Sequence, residues 1–494
     1  MAGISTRLDA YRTLRAEIEG SILPLATSVD GRRFSLQAAI DGLQLRLGGY
    51  VTLGDGAALG QVRSLDVAEV DVGEVGLPPG DGEAAITARM PIRLARGEGV
   101  ILDGGGEPFH DHAVRPADPA DVAAWLERSS AARARLAVGM LPLAGDVPVS
   151  LDAGGFDRHT FLCGQSGSGK SYSLGLVLEQ LLLETSLKLV ILDPNSDVVH
   201  LAHARTDAEP AAAARWGDVA PGIAVRSAGE GPDRLRLRFG ELDQSEQGAL
   251  LGLDPIADRE EYAELAALLE DQSPETLDAL SSADRPEARR LGQRIENLGL
   301  TRFGIWARAD AGTLLDDLDD PGVRCLVVDL GSLPTREEQS LTAAAVLRAL
   351  WDRRARREPV LVVVDEAHNV CPAAPAGRLT ALATEHAVRI AGEGRKFGIY
   401  LLVASQRPQK VHEHVLSQCD NLILMRLNSG ADAEFIHELY GFAPPGLVSL
   451  ATGFRLGEAL IAGKIAPHPA IVRFGRRVAR EGGGDVDASW AAAR

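Results

Sequence analysis

A glycine-rich segment one third of the way along the chain constrains its fold more than any other feature. The segment reads Phe161-Leu-Cys-Gly-Gln-Ser-Gly-Ser-Gly-Lys-Ser171 and fits the spacing G-x-x-x-x-G-K-[ST] of a phosphate-binding loop, or P-loop. Small residues let successive backbone N–H groups point into one concavity beside a helix N-terminus, where they hold phosphate oxygens. An apolar helical pattern follows over residues 173–183. The segment therefore predicts a strand, a nucleotide-binding loop and a buried helix.

The residue types of this loop predict separate roles toward a bound nucleotide. We expect Lys170 to reach the β- and γ-phosphates and the Ser171 hydroxyl to bind Mg²⁺. The predicted nucleotide-binding residues of the loop are Gly164, Ser166, Gly167, Ser168, Gly169, Lys170, Ser171 and Tyr172.

A second block supplies the acids that such a site needs. The apolar run Val360–Val364 predicts a buried parallel strand that ends in Asp365 and Glu366. Open α/β sheets bind ligands at the carboxyl ends of their strands, so these acids should lie beside the P-loop. We expect Asp365 to hold the Mg²⁺ shell and Glu366 to orient the attacking water. The pair of blocks predicts hydrolysis of ATP.

A third block contains polar or charged residues at both ends of another predicted strand, Ile399–Ala404. Gln406 follows the strand and is predicted to sense the γ-phosphate or the lytic water; a simple polar turn before Pro408 is the alternative. Arg395 and Lys396 precede the strand, at the end away from their own nucleotide. We therefore predict that they act on a neighbouring subunit, Arg395 as an arginine finger, with an ordinary surface pair as the alternative.

Taken in order, these blocks resemble the HerA branch of the HerA/FtsK ATPases. The resemblance covers about residues 157–426 and rests on the P-loop, Asp365-Glu366-Ala-His368, Gly394-Arg-Lys-Phe-Gly398, Ala404-Ser-Gln-Arg-Pro408 and Val415-Leu-Ser-Gln-Cys-Asp-Asn421. It implies a RecA-like core and a homohexameric ring that uses ATP and Mg²⁺ to move double-stranded DNA, in DNA end processing or anti-phage defence. It also implies an effector partner, such as a nuclease or an NAD-consuming enzyme.

Two positions extend or depart from the family pattern. Arg158 matches a position where the family carries an arginine near the subunit boundary, so it is predicted to contribute to nucleotide binding there. The turn Asp193-Pro-Asn-Ser-Asp197 differs from the Asp, His, Gly and Glu that many relatives have. Asp193 still fits a site acid, but the departure leaves Asn195 and Asp197 without an assigned role.

The predicted fold is an α/β, RecA-like P-loop core with a small N-terminal β-barrel and a helical insertion. Short strands between glycine turns, among them Leu43–Leu47, predict the barrel, and Ala120–Val138 is predicted to be a helical linker. The predicted division is 1–148 for barrel and linker, 149–240 and 308–478 for the two parts of the core, 241–307 for the helical insertion and 479–494 for a disordered tail.

Composition limits the function classes more weakly. No apolar stretch approaches the length of a membrane helix and no signal-peptide pattern begins the chain, so we expect a soluble, cytoplasmic protein. The formal net charge of −18 gives no support for DNA binding, although it does not exclude basic surfaces inside a ring. A DNA motor therefore competes with a second hypothesis, an ATPase ring that scaffolds and switches an effector enzyme with little translocation.

Overall fold

The computed structural model describes residues 2–56, 58–77, 86–104, 106–129, 134–270, 286–307 and 311–482. Its strands are β1 Leu25–Ser28, β2 Arg33–Ala38, β3 Tyr50–Leu53, β4 Ala58–Leu77, β5 Ile86–Ile101, β6 Phe109–Pro116, β7 Arg135–Leu141, β8 Val147–Asp152, β9 His159–Cys163, β10 Lys188–Asp193, β11 Ile223–Arg226, β12 Cys325–Asp329, β13 Val360–Val364, β14 Ile399–Ser405, β15 Cys419–Leu424, β16 Glu458–Gly463 and β17 Ala470–Phe474.

The described α-helices surround these strands. They span Ala2–Gly20, Pro119–Ser129, Lys170–Glu184, Pro210–Val219, Gln244–Leu250, Arg259–Glu270, Pro286–Asn297, Leu314–Asp317, Arg336–Asp352, Arg378–Glu393, Glu413–Leu416, Gly430–Leu439 and Pro445–Ser449. No described helix is both long enough and apolar enough to cross a membrane.

One large sheet forms the core, with the strand order β11-β12-β10-β13-β14-β9-β15-β16-β17-β7-β8. The pairings from β11 to β15 are parallel, whereas those from β15 through β8 are antiparallel. The parallel register brings the carboxyl ends of β10, β13, β14 and β9 to the same edge. This architecture confirms the predicted α/β, RecA-like core.

Both faces of the central parallel strands β10, β12 and β13 are buried, which explains their largely apolar sequences. On β13, Val362 and Val364 face one core cluster, whereas Leu361 and Val363 face the other. The helix Lys170–Glu184 packs on the second face, and helices from the predicted insertion pack on the first through Leu265, Leu291 and Ile295. The helices of the insertion thus bury their apolar side against the sheet.

The first six strands close into a barrel with the order β1-β2-β5-β4-β3-β6. Long antiparallel pairing between β4 and β5 merges several short strands expected from the sequence into one ladder. The prediction of a strand at Leu43–Leu47 is wrong. Gly42 and Gly48 adopt left-handed backbone conformations at the two ends of this segment, and the Gly49 N–H bonds back to Arg46, so the chain turns instead of pairing.

The predicted helical linker is wrong from Arg135 onward. Residues Arg135–Leu141 form β7, which pairs with β8 and β17 and so belongs to the large sheet. The alternation of buried Leu136 and Val138 fits a strand, and a Cβ atom on Gly139 would lie 2.0 Å from the Arg473 carbonyl oxygen. The predicted domain boundary at residue 148 falls inside β8. Most of the predicted disordered tail, from residue 483 onward, lies outside the described residues.

Candidate active site

The P-loop connects β9 to the helix that begins at Lys170, as the sequence predicts. Gly167 and Gly169 have φ angles of 71° and 93°, in the left-handed region that favours glycine. At Gly164 a Cβ atom would lie 2.7 Å from both the Met425 Cβ and the Ser168 Oγ, so only glycine fits. The loop thus has the compact backbone that a phosphate cradle requires.

Lys170 lies between the two acids that follow β13. Its Nζ is 2.5 Å from the Asp365 Oδ1 and 3.2 Å from the Glu366 Oε1, and all three side chains are at most 3% exposed. Burial alone would lower the pKa of the Lys170 ammonium, but the two carboxylates outweigh it and the pKa is raised. The Lys170 ammonium is therefore charged in the structure, beside the P-loop, where the predicted site needs a positive charge to bind phosphates.

Glu366 is held through both of its carboxylate oxygens. The Gln406 amide donates to Oε1 at 2.6 Å, and the His368 Nδ1 lies 3.2 Å from Oε2. Burial would raise the pKa of Glu366, but the hydrogen bond to His368, the Lys170 charge and the Gln406 amide lower it to about 2. The backbone of Glu366 has a φ of 39°, a strained conformation for this residue type.

The turn after β10 brings two further acids to the same edge. Asp193 is fully buried and accepts hydrogen bonds from the backbone N–H groups of Asn195, Asp197 and Val198. Burial raises the pKa of Asp193 to about 7. Through these three hydrogen bonds, the Asp193 side chain stabilises the turn. The Asp197 carboxylate instead accepts a hydrogen bond from the Ser171 hydroxyl at 2.7 Å. Asp197, left unassigned from the sequence, is thus part of the site.

The donor set fits Mg²⁺ bound together with a nucleotide. The Asp365 Oδ2 is buried and has no hydrogen-bond partner among the described residues. Ser171 and Asp197 provide a hydroxyl and a carboxylate nearby. The described residues contain no group of three or more His, Cys, Asp or Glu side chains arranged to hold a metal. Mg²⁺ commonly takes one or two protein ligands, with phosphate oxygens and waters completing its shell, so this sparse set is sufficient.

A cavity of about 640 Å³ opens over these groups. Its walls include the P-loop, Tyr172, Asn195, Asp197, Gln406 and, from the end of the chain, Phe474 and Glu481. The structure therefore gathers the predicted P-loop residues, Asp365, Glu366 and Gln406 around or beside one nucleotide-sized space.

The remaining predicted site residues lie at the opposite edge of the sheet. Arg158 precedes β9 and Arg395 precedes β14, and the side chains of both pair with Asp420. Lys396 is exposed beside them. All three are separated from the P-loop of their own chain by the length of the parallel strands, as the sequence predicts for residues acting on a neighbour.

Comparison with known proteins shows which proteins this chain is similar to. Residues 136–286 match the family described as "Helicase HerA, central domain". The DNA double-strand break repair helicase HerA of Sulfurisphaera tokodaii is 30% identical over 195 residues, which cover 38% of each chain. The HerA of Pyrococcus furiosus is 24% identical over 68% of this chain and 69% of its own.

Among solved structures, VirB4 of Thermoanaerobacter pseudethanolicus aligns with a TM-score of 0.46 and 16% identity, covering 69% of this chain and 96% of its own. In sequence the chain is therefore similar to HerA helicases, and its fold and site are those of a P-loop ATPase. The chain spans well under half of the Sulfurisphaera tokodaii relative.

The Lys170 ion pairs yield a test in the absence of nucleotide. Lys170→Met leaves two buried carboxylates without a counter-ion, which should cost about 3–5 kcal/mol at pH 8. In the wild type, Glu366 stabilises the fold above the ordinary pKa of 4.5 and loses that effect as the pH falls toward 2. In the variant a carboxyl should bind a proton, so its melting temperature should approach the wild-type value between pH 8 and pH 5.

Lys464→Met is the control, because this lysine is exposed. It should melt like the wild type at both pH values. A gap between Lys170→Met and the wild type that is equal at pH 8 and pH 5 would contradict the proposed charge balance.

Proposed function

We propose that this protein is an ATP-driven motor for double-stranded DNA that works as a homohexameric ring. The observation that carries the proposal is the convergence of Lys170, Asp365, Glu366 and Gln406 at one edge of the parallel sheet. A P-loop alone binds nucleotide; an acid placed beside it to orient water, with a polar group fixing that acid, is suited to hydrolysis.

In the proposed reaction, backbone N–H groups of the P-loop and the Lys170 ammonium bind the phosphates. Ser171 and Asp365 would hold Mg²⁺, which would supply positive charge to the phosphate oxygens. Glu366 orients a water whose oxygen attacks the γ-phosphorus as the bond to the bridging oxygen breaks, releasing ADP and phosphate. Gln406 lies in the loop that follows β14 and donates a hydrogen bond to the Glu366 carboxylate, so a movement of that carboxylate would move the loop.

The opposite edge of the sheet supports the ring. Arg158 and Arg395 are 37% and 43% exposed and share the single carboxylate of Asp420. Arg158 also pairs with Asp157 at 3.0 Å, so with the exposed Lys396 this edge carries three basic side chains beside two acids, and a neighbour's phosphates would be attracted to it. We propose that this edge faces the P-loop edge of the next subunit, with Arg395 as the arginine finger and Lys396 and Arg158 as supporting charges.

A groove of about 550 Å³ supports a nucleic-acid partner. It adjoins the nucleotide cavity, with which it shares Asn195 and Gln406, and Arg336, Arg407 and Lys410 line it. None of these three side chains forms an ion pair with another described residue. In a chain with a net charge of −18, unpaired basic side chains grouped in one groove favour an anionic polymer as its ligand.

The HerA relatives described above are named as helicases of DNA double-strand break repair, which favours DNA end processing as the setting. The alternative is an ATPase ring that scaffolds and switches an effector such as a nuclease or an NAD-consuming enzyme. The strongly acidic net charge favours that alternative, because it disfavours non-specific binding to DNA. Tests of DNA stimulation separate the two functions.

Hydrolysis is tested by two substitutions at the site. Glu366→Gln should bind a fluorescent ATP analogue about as tightly as the wild type, while kcat for ATP falls roughly 10²–10⁴-fold because the water is no longer oriented. Lys170→Ala should lose nucleotide binding itself. Wild-type turnover in Glu366→Gln would rule out the role assigned to this acid.

Sites shared between subunits are tested by mixing variants. Arg395→Ala and Glu366→Gln should each be nearly inactive, but mixed rings contain interfaces where an intact Glu366 faces an intact Arg395, so part of the ATPase rate should return. As the control, a double variant carrying both changes should restore nothing when mixed with Arg395→Ala. A monomer by light scattering with nucleotide at micromolar concentration would exclude the ring.

DNA binding is tested at the basic groove. In Arg407→Ala/Lys410→Ala, stimulation of the ATPase by duplex DNA should fall, and the slope of log affinity against log salt should drop by about one per lost phosphate contact. The control Arg290→Ala/Arg302→Ala removes the same charge from exposed positions outside the groove. A wild-type rate that duplex DNA leaves unchanged at low salt would favour the switch function.

A further inference from the structure

After β17 the chain folds back along its own nucleotide site. We call residues Gly475–Gly482 the strap. Within it the Arg480 N–H donates to the His203 carbonyl, and the Val478 carbonyl accepts from the Arg205 N–H, both at 2.8 Å. At its end the Gly482 N–H donates to the Asp197 carbonyl at 2.9 Å. The strap is therefore bonded along the segment that follows β10.

A buried ion pair anchors the strap to the P-loop helix. The Arg477 Nε lies 2.8 Å from the Glu179 Oε1, and both side chains are fully buried. The Glu179 carboxylate also accepts from the backbone N–H groups of Val478 and Ala479. A Cβ atom on Gly175 would lie 2.1 Å from the Arg477 Cζ, which explains why a glycine occupies this helix interior at a cost of about 1 kcal/mol.

The buried Arg477–Glu179 pair fixes the position of the strap more than it stabilises the folded state. Desolvation of two charges offsets much of their attraction, so a fully buried ion pair is weak evidence of added stability. Its hydrogen bonds, however, allow only one placement of the strap on the helix. The strap is fixed relative to the P-loop by a contact with strict geometry.

The fixed strap reaches the nucleotide cavity by two routes. Tyr172 follows Ser171 in the sequence, and its hydroxyl accepts a hydrogen bond from the backbone N–H of Arg477 at 2.9 Å. The Arg477 guanidinium lies 5.8 Å from the centre of the Tyr172 ring. Gly475 and Glu481 line the cavity. By the second route, the Gly482 N–H donates to the backbone carbonyl of Asp197, and the Asp197 carboxylate accepts a hydrogen bond from the Ser171 hydroxyl.

We propose that the strap is a positioning element of the nucleotide site, which holds Asp197 against Ser171 and closes one wall of the cavity. The inference rests on the proposed binding of Mg²⁺–ATP at the P-loop. Because the strap and the nucleotide contact the same groups, docking of one stabilises docking of the other, and the coupling is reciprocal. Nucleotide binding should therefore tighten the strap, and a loosened strap should weaken nucleotide binding.

Gly482→Ala tests the proposal without removing a buried charge. Its Cβ would lie 2.1 Å from the Ser196 carbonyl oxygen, so the end of the strap must move away from the turn. We expect affinity for a fluorescent, non-hydrolysable ATP analogue with Mg²⁺ to fall about 5-fold or more, the lower range of typical couplings.

Truncation after Arg480, which keeps the Arg477–Glu179 pair, should lower the affinity in the same way. Gly217→Ala is the control, because nothing lies within 4 Å of its added Cβ.

Limited trypsin digestion gives a second readout that is independent of turnover. Arg476 and Arg480 are exposed cleavage positions on the strap. The ATP analogue should slow cleavage there in the wild type and protect less in Gly482→Ala. Unchanged affinity in both strap variants, or cleavage that the bound analogue does not slow, would overturn the inference. Failure of the wild type to bind the analogue would instead refute the proposed nucleotide site.

Discussion

The placement of one ammonium group between two buried carboxylates determines how the site is built. Lys170 belongs to the P-loop helix, whereas Asp365 and Glu366 follow β13, which β14 separates from the strand leading to the P-loop. Neither acid could stay ionised in the interior without a counter-charge, and an unpaired ammonium would be as costly. The three charges therefore require each other, and they connect two strands across the carboxyl edge of the sheet. Gln406, His368 and the turn after β10 are arranged around this cluster.

Much of this could be predicted from the sequence, because some signals are local. The P-loop spacing predicts a strand–loop–helix unit, and unbroken apolar runs such as Val360–Val364 are typical of parallel strands covered on both faces. Acids at the ends of such strands must then meet at one edge. The predicted placement of Arg395 at the far end of β14 required nothing beyond the direction of the strand. These inferences depend on spacing and periodicity alone.

Two errors concern local turns and pairing, at Leu43–Leu47 and Arg135–Leu141, whereas the omissions concern partners distant in sequence. Arg135–Leu141 carries enough Ala, Leu and Arg to suggest a helix, but it forms a strand that pairs with β8, next in sequence, and with β17, more than three hundred residues later. Asp197 was left unassigned because its turn departs from the family pattern, and only the fold shows its carboxylate against Ser171. The bond from Gly482 to Asp197 and the match between Gly175 and Arg477 are likewise invisible without the tertiary structure. The spacing of motifs along the chain carries no information on such long-range contacts.

The state of Glu366 suggests how such a site avoids idle turnover. With Lys170, Gln406 and His368 on its carboxylate and a φ of 39°, Glu366 is engaged by protein groups. Hydrogen bonds to a charged group contribute roughly 1.5–3 kcal/mol each, while strain of this kind costs about 1–3 kcal/mol. These opposing terms are similar in size, so a modest competing interaction can shift the balance. Under the proposed function, a γ-phosphate would compete for Lys170, and an anion in the basic groove would attract Arg407, which follows Gln406. Glu366 contacts Lys170 at the nucleotide cavity and also lines the basic groove, so in the proposed motor both ligands would act on the same acid.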